Sequence, residues 1–279
     1  MKVLLWLRII RPQTLFASLC PVLVTLIAMT EPVHATTAAV TAVCALSLQI
    51  LSNLINDYYD YRRGTDKQGR VGFRRALAEG EVSEKQMRNA CLLTLAVCVV
   101  SGLWLVWQGG WVILLIGLSA ILFAWLYTAT THSLSYLGIA DIFVFLYFGV
   151  IASSGTYYLQ TATFSLPVFF AGGVCGLISM CVLLINNLRD MEDDRRVGKR
   201  TLPVRFGRNA GLWLMSVIVV LMPVMAYLAF GGWSLPMLVG IPALRLLFAV
   251  KEAQGAAYNK YLLMTGLMNV FYTILVVLE

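Results

Sequence analysis

Asn53-Leu-Ile-Asn56-Asp57-Tyr-Tyr-Asp60-Tyr-Arg-Arg-Gly64-Thr-Asp66 follows a run, from Ala35 to Ser52, without a single charged side chain. A run of that length and polarity predicts a membrane-crossing helix. If the helix continues into the acidic stretch, Asn53, Asp57 and Asp60 stand at i, i+4 and i+7 and share one face. Asn56 and Asp60 make a second i, i+4 pair beside them. Crowded carboxylates repel unless positive charge lies between them, and an oxygen-only ligand set suits a hard divalent cation. A solvated acidic helix end is the alternative.

Composition extends the membrane reading to the whole chain. Of 279 residues 59% are hydrophobic and 13% charged, against about 25% charged in soluble domains. The six cysteines, at 20, 44, 91, 98, 175 and 181, all lie in apolar segments and read as small core residues. His34 and His132 share no ligand spacing with them. Arg8 and Arg11 interrupt what would be the apolar core of a signal peptide, so the N-terminus is expected to be retained.

Apolar segments at 13–31, 36–55, 88–107, 111–128, 138–159, 164–186, 210–230, 233–250 and 261–278 predict an all-α integral membrane protein. It would be a bundle of nine transmembrane helices forming a single domain, 1–279. Twenty of the 21 Lys and Arg fall before the first span or in alternate connections, chiefly 62–88 and 189–208. The positive-inside rule then places the N-terminus and both charged loops in the cytoplasm. Arg245, late in the eighth span, is the exception; it either snorkels to the surface or serves the bundle interior. The net charge of +7 sits on short loops interleaved with acids. That distribution argues against nucleic acid and for anionic headgroups or an anionic substrate.

A second acidic cluster, Asn186-Asn187-Leu-Arg-Asp190-Met-Glu-Asp-Asp194, ends the sixth span and runs into Arg195-Arg-Val-Gly-Lys199-Arg200. Asn-x-x-x-Asp-x-x-Asp occurs at 53, 57 and 60 and again at 186, 190 and 193. The acidic motifs at 53–66 and 186–200 therefore suggest an internal helical pseudo-repeat and a shared site. Such converging acids need compensation, either from loop arginines or from a metal. Mg²⁺ fits the second case, since it takes few carboxylates and fills its shell with phosphate oxygens. Cations follow both clusters, Arg62, Arg63, Arg70, Arg74 and Arg75 after the first. Carboxylates alternating with Arg and Lys suit a diphosphate bridged through the metal.

At this point the chain resembles the UbiA-type intramembrane prenyltransferases, and within them the menaquinone-pathway dihydroxynaphthoate polyprenyltransferases. Arg11-Pro-Gln-Thr-Leu, Asn56-Asp57-Tyr-Tyr-Asp60, Tyr136-Leu-Gly-Ile-Ala-Asp141 and Asn186-Asn-Leu-Arg-Asp190 through Thr201 carry the resemblance. It implies nine helices around a central cavity, a Mg²⁺ cofactor, a polyprenyl diphosphate donor and an aromatic acid acceptor. It also implies a multi-pass protein of the bacterial inner membrane, with its active site open to the cytoplasm. Asn56, Asp57, Asp60, Asp190 and Asp194 would hold the metal and diphosphate, with the four aspartates catalytic. Asn53, Asp66, Asn187, Arg75, Lys199 and Arg200 are further substrate-binding candidates. Two departures stand out: Gly64 occupies a position where relatives often carry an acid, and four residues after Tyr127 comes Thr131 instead of a lysine.

The implied reaction transfers the prenyl chain to 1,4-dihydroxy-2-naphthoate with loss of carbon dioxide, giving demethylmenaquinol. Tyr58, Tyr61 and Tyr127 could stabilise the allylic cation through their rings, and Asp141 could orient the acceptor hydroxyl. Other acceptors, such as 4-hydroxybenzoate, homogentisate or a haem, would share these motifs. A transporter is the rival from another class, although its acids belong near the bilayer midplane. No motif encodes donor chain length or oligomeric state.

Overall fold

A computed structural model of the chain describes residues 2–62, 64, 75–128 and 138–279, without the side chains of residues 2, 3, 127 and 128. Asp66 and the side chain of Tyr127 thus lie outside the described residues. The described elements are helical, with no strand among them. In chain order they begin with α1 (Lys2–Ile10), α2 (Pro12–Ala28), α3 (Ala35–Arg62) and α4 (Glu84–Thr128). Next come α5 (Ala140–Thr161), which contains a π turn at Leu146–Val150, and α6 (Leu166–Arg189). Two short helices, α7 (Met191–Arg196) and α8 (Leu202–Phe206), precede α9 (Arg208–Phe230). A 3-10 turn at Leu235–Val239 leads into α10 (Gly240–Lys251), and α11 (Ala257–Leu278) closes the chain.

Each apolar segment expected from the sequence falls on helix. Among the described residues six helices are long and apolar enough to cross a membrane, α3, α4, α5, α6, α9 and α11. Helices α1 and α2 add a seventh if their pair, bent by 53°, counts as one. The bend sits at Arg11, whose φ of 58° is left-handed, with Pro12 opening the next helix. Proline disfavours helical φ/ψ at the preceding residue, in keeping with a turn there. A straight α4 of 45 residues would be about 68 Å long, more than twice the hydrocarbon thickness. Gly110, at φ 65° and ψ −152°, breaks it into two limbs.

Local chemistry fixes the ends. Ser83 and Gln86 cap α4 reciprocally: the Gln86 amide donates to Ser83 Oγ at 3.2 Å, and the Ser83 amide to Gln86 Oε1 at 2.8 Å. Gly231, left-handed at φ 69°, ends α9.

Helix α6 is the buried axis, its apolar window 72% buried. Its small residues let neighbours approach closely. A Cβ on Gly176 would lie 2.4 Å from the Phe145 carbonyl oxygen, and one on Gly149 would lie 2.6 Å from Gly176 Cα. Helices α5 and α6 therefore touch backbone to backbone, as small-x-x-x-small pairs allow in membranes. The outer surface is apolar: Leu93, Val100, Trp107, Trp111, Val220 and Trp233 are all largely exposed. In a soluble protein such a surface would aggregate; here it faces lipid, with tryptophans beside the connections. Arg245 is exposed on α10, which decides for snorkelling over a role inside the bundle. All six cysteines are free thiols.

Candidate functional site

Two cavities stack along the same helices. The smaller, about 80 Å³, is polar and lined by Asn56, Asp60, Arg75, Asp141, Asn186, Asn187, Asp190, Asp194, Lys199 and Thr201, with Gly138, Ala140 and Leu183. The larger, about 270 Å³, is apolar and lies between α2, α3, α4 and α5. One stripe of α3 serves both. Thr41, Cys44, Leu48 and Ser52 line the apolar chamber, and Asn56 and Asp60 line the polar one. That i, i+3/i+4 progression runs about 28 Å at 1.5 Å per residue, close to the hydrocarbon thickness. On α5, Ala140 and Asp141 line the polar cavity and Tyr147 and Phe148 the apolar one.

The two acidic motifs do meet, but not with every residue the spacing nominates. Asn56, Asp60, Asn187, Asp190 and Asp194 line the polar cavity. Asp57 does not. It is buried one face away, and its Oδ1 accepts from the guanidiniums of both Arg11 and Arg75. Asn53 is likewise turned toward the α1–α2 bend, donating to the Ile10 carbonyl at 3.0 Å and to Thr14 Oγ1 at 2.9 Å. Arg200 is exposed and absent from the lining; its carbonyl oxygen stands where a Cβ on Gly138 would fall, 2.1 Å away. Tyr58 donates to Glu84 Oε1 at 3.0 Å, and Tyr61 is 41% exposed, so neither ring faces a cavity.

Cations already hold part of the site together. Arg189 grips Asp190 with two bonds of 2.6 and 2.8 Å, and is itself tied to Asn259 Oδ1 at 2.8 Å. Lys199 lies 3.3 Å from Asp194. The chain bends at Asp190, but the Asp194 amide still bonds to the Asp190 carbonyl at 2.8 Å. Both carboxylates therefore stay on the cavity side.

The donor set suits a hard divalent cation. It consists of carboxylate and amide oxygens, with neither thiolate nor imidazole. Asn56 Oδ1 and Asp141 Oδ1 are buried without a hydrogen-bond partner among the described residues, as is Thr201 Oγ1. Orphaned acceptors at that depth cost about 1–3 kcal/mol each until a cation or donor reaches them. Among the described residues no three acidic, histidine or cysteine side chains gather tightly enough to form a metal cage. Substrate oxygens and water would have to complete the shell, as is usual for Mg²⁺.

Phe123 and Tyr147 line the apolar chamber, and Phe143 packs into the same cluster beside Ala140 of the polar cavity. Phe123 stacks on Tyr147 at 4.8 Å and on Phe143 at 5.1 Å between ring centroids. Sequence reasoning passed over this stack, although Phe143 and Tyr147, at i, i+4 to each other, follow Asp141 on one helix.

The model of the UbiA prenyltransferase family matches residues 18–271. The chain is 37% identical over 213 residues to the 1,4-dihydroxy-2-naphthoate octaprenyltransferase of Escherichia coli, covering 72% of this chain and 68% of that protein. It is 31% identical to the enzyme of the same description from Mycobacterium leprae over 278 residues, covering 97% of this chain and 94% of that one. Among solved structures, a UbiA homolog from Archaeoglobus fulgidus bound to DMAPP and Mg²⁺ superposes with a TM-score of 0.68 at 18% identity, over 98% of each chain. At that identity the likeness is one of fold.

Proposed function

The chain belongs to the UbiA prenyltransferase family, and from that premise we propose that it transfers a polyprenyl chain from its diphosphate to 1,4-dihydroxy-2-naphthoate. Carbon dioxide and diphosphate leave, and demethylmenaquinol results. The observation that carries this reading is the polar cavity stacked on an apolar chamber along one stripe of α3. An anionic head on a long hydrocarbon tail is the ligand such a pair of cavities fits. The names of the relatives supply the acceptor.

In this reading Asn56, Asp60, Asp190 and Asp194 hold Mg²⁺, which supplies charge to neutralise the departing diphosphate. Arg75 and Lys199, both in the lining, bind phosphate oxygens. The Phe123–Tyr147 stack stabilises positive charge developing on the allylic carbon, the role first sought in Tyr58, Tyr61 and Tyr127. Asp141 accepts a hydrogen bond from a ring hydroxyl of the acceptor, which orients the ring and enriches it in electrons. The new carbon–carbon bond forms at the carboxylate-bearing carbon as the allylic carbon–oxygen bond breaks. Its electron pair leaves with the diphosphate, and loss of carbon dioxide restores the aromatic ring.

The same reading takes residues 1–279 as one domain crossing a bacterial inner membrane nine times. The N-terminus and the polar cavity then lie on the cytoplasmic side, in keeping with the basic loops beside the acids.

Membranes containing the protein, given Mg²⁺, labelled octaprenyl diphosphate and a panel of aromatic acids, should release carbon dioxide and prenylated product with dihydroxynaphthoate alone. EDTA should stop the reaction, and added Mg²⁺ should restore it. Product from 4-hydroxybenzoate or homogentisate in place of dihydroxynaphthoate would reassign the acceptor. Asp141→Asn should raise KM for the acceptor about tenfold, the worth of a hydrogen bond to a charged group, with donor KM unchanged. An unchanged acceptor KM would remove Asp141 from that role.

A further inference from the structure

A chain of directed hydrogen bonds runs from the α1–α2 bend to the apolar chamber. Thr14 Oγ1 donates to the Arg11 carbonyl at 2.9 Å, which leaves its lone pairs to accept. Asn53 spends both amide hydrogens, one on the Ile10 carbonyl at 3.0 Å and one on Thr14 Oγ1 at 2.9 Å. Its oxygen accepts from Gln49 Nε2, one turn earlier on α3, at 3.3 Å. These bonds fix both amides, since turning either one round would set like groups against each other. An acceptor is left over at the end of the chain. Gln49 Oε1 is buried without a hydrogen-bond partner among the described residues, and the residue, 8% exposed, lines the apolar chamber. The hydroxyls of Ser18, Thr41 and Thr156, in the same lining, are already spent on carbonyls of their own helices.

We infer that Gln49 determines specificity for the acceptor: its Oε1 takes a hydrogen bond from the ring hydroxyl that Asp141 does not hold, so that the site selects a ring with two hydroxyls para to each other. This inference rests on the prenyl-transfer reading above. Gln49 Oε1 calls for a donor, and a prenyl tail has none to give. A water ordinarily needs about two to four polar partners, which a chamber walled by such residues as Val22, Leu48 and Phe148 is poor in. Of the reaction's ligands the hydroxylated ring alone combines an apolar body with a hydrogen to donate.

Two orphaned oxygens thus face the two cavities, Asp141 Oδ1 the polar one and Gln49 Oε1 the apolar one. Along α3, Gln49 lies seven residues from Asn56, which shares the polar cavity with Asp141, a rise of about 10 Å. Para hydroxyls that each make a hydrogen bond of ordinary length span about 11 Å between their acceptor oxygens. Asp141 suits the 1-hydroxyl, which neighbours the carboxylate-bearing carbon and feeds electrons into it; Gln49 then takes the 4-hydroxyl. A ring with one hydroxyl leaves one buried oxygen unanswered, and that cost is how a polar site rejects a near-isostere.

The test compares 1,4-dihydroxy-2-naphthoate with 1-hydroxy-2-naphthoate, which lacks only the 4-hydroxyl. Binding to the full-length protein in detergent is followed through the naphthoates' own fluorescence, without oxygen so that the diol stays reduced and without donor so that nothing reacts. The wild type should hold the diol about tenfold more tightly, the worth of one hydrogen bond to an otherwise unsatisfied buried oxygen. Gln49→Leu should hold the two ligands equally, having lost affinity for the diol alone. A role confined to packing would weaken both ligands by one factor, or raise the donor KM, and leave the tenfold preference in place; that result overturns the inference. So does a wild type that binds the two naphthoates equally, a comparison that needs no variant to fold. In either case a wild type that still forms prenylated product keeps the prenyl-transfer reading. If it binds neither naphthoate and forms no product, both fall together.

Discussion

Asp60→Ala is expected to lower kcat/KM for the polyprenyl diphosphate by about 10²–10³-fold, the cost of removing one preorganised group that meets developing charge. Asp60 is 4% exposed and lines the polar cavity on the same stripe of α3 that continues into the apolar chamber. It therefore stands where the head and tail of a donor would join. Asp194→Ala, on the facing wall and 3.3 Å from Lys199, should cost a similar factor. The double variant should fall well short of the product of the two losses, because groups that hold one ion act as a unit. Raised Mg²⁺ should recover part of the loss in each single variant. Gel filtration and circular dichroism should be unchanged, since both acids lie outside the apolar core built around α6. Two single variants with wild-type turnover would end the assignment of these acids to the chemistry.

The motif spacing showed that the acids would gather but not which of them would face the ligand. On a helix, successive residues point about 100° apart. Asn53 with Asp57, and Asn56 with Asp60, are therefore two adjacent faces of α3, and periodicity favours neither. The neighbours decide. The α1–α2 bend covers the first face, and α5 and α6 border the second. The bend is legible as Arg11-Pro12, but its docking against Asn53 is a contact between segments 39 or more residues apart. The repeated spacing had the same limit. Asp60 lines the cavity, whereas its counterpart Asp193 turns outward to Arg196 at 3.5 Å. Asp57 turns away, whereas its counterpart Asp190 lines the wall. Equal spacing gave equal helices and unequal roles.

Apolar length placed every expected segment on helix, because hydrocarbon imposes that length directly, although six or seven helices among the described residues, not nine, have the length and polarity of a span. It did not find the aromatic stack of Phe123, Phe143 and Tyr147, since these rings look like any other apolar residue until α4 and α5 are packed. Nor did it show the irregular middle of α5, where the π turn at Leu146–Val150 brings Gly149 against α6. Only a structure reveals how near two backbones come.

That contact yields the largest expected effect on stability. Gly149→Val should lower the melting temperature in detergent by roughly 5–10 °C, because overpacking costs up to about 3 kcal/mol and backbone cannot move aside as a side chain can. A Cβ at 149 would lie 2.6 Å from the Gly172 oxygen and from both the nitrogen and Cα of Gly176. All three are main-chain atoms of the most buried helix in the bundle. Gly232→Val, where a Cβ meets nothing within 4 Å, should leave the melting temperature unchanged. The surviving Gly149→Val protein should also be slower. Helix α5 carries Asp141 two turns before Gly149, and α6 carries Asn186 and Asn187 beyond Gly176 on the opposite wall of the polar cavity. Pushing the helices apart at Gly149 must tilt or shift one wall against the other, and a misplacement of about 1 Å can cost 10²-fold in rate. Acceptor KM should rise more than donor KM, because Asp141 moves with α5 while Asp60, Asp190 and Asp194 stay on α3 and beside α6. A variant that loses stability but keeps both KM values would mean that the α5–α6 contact holds the bundle together without setting the width of the site.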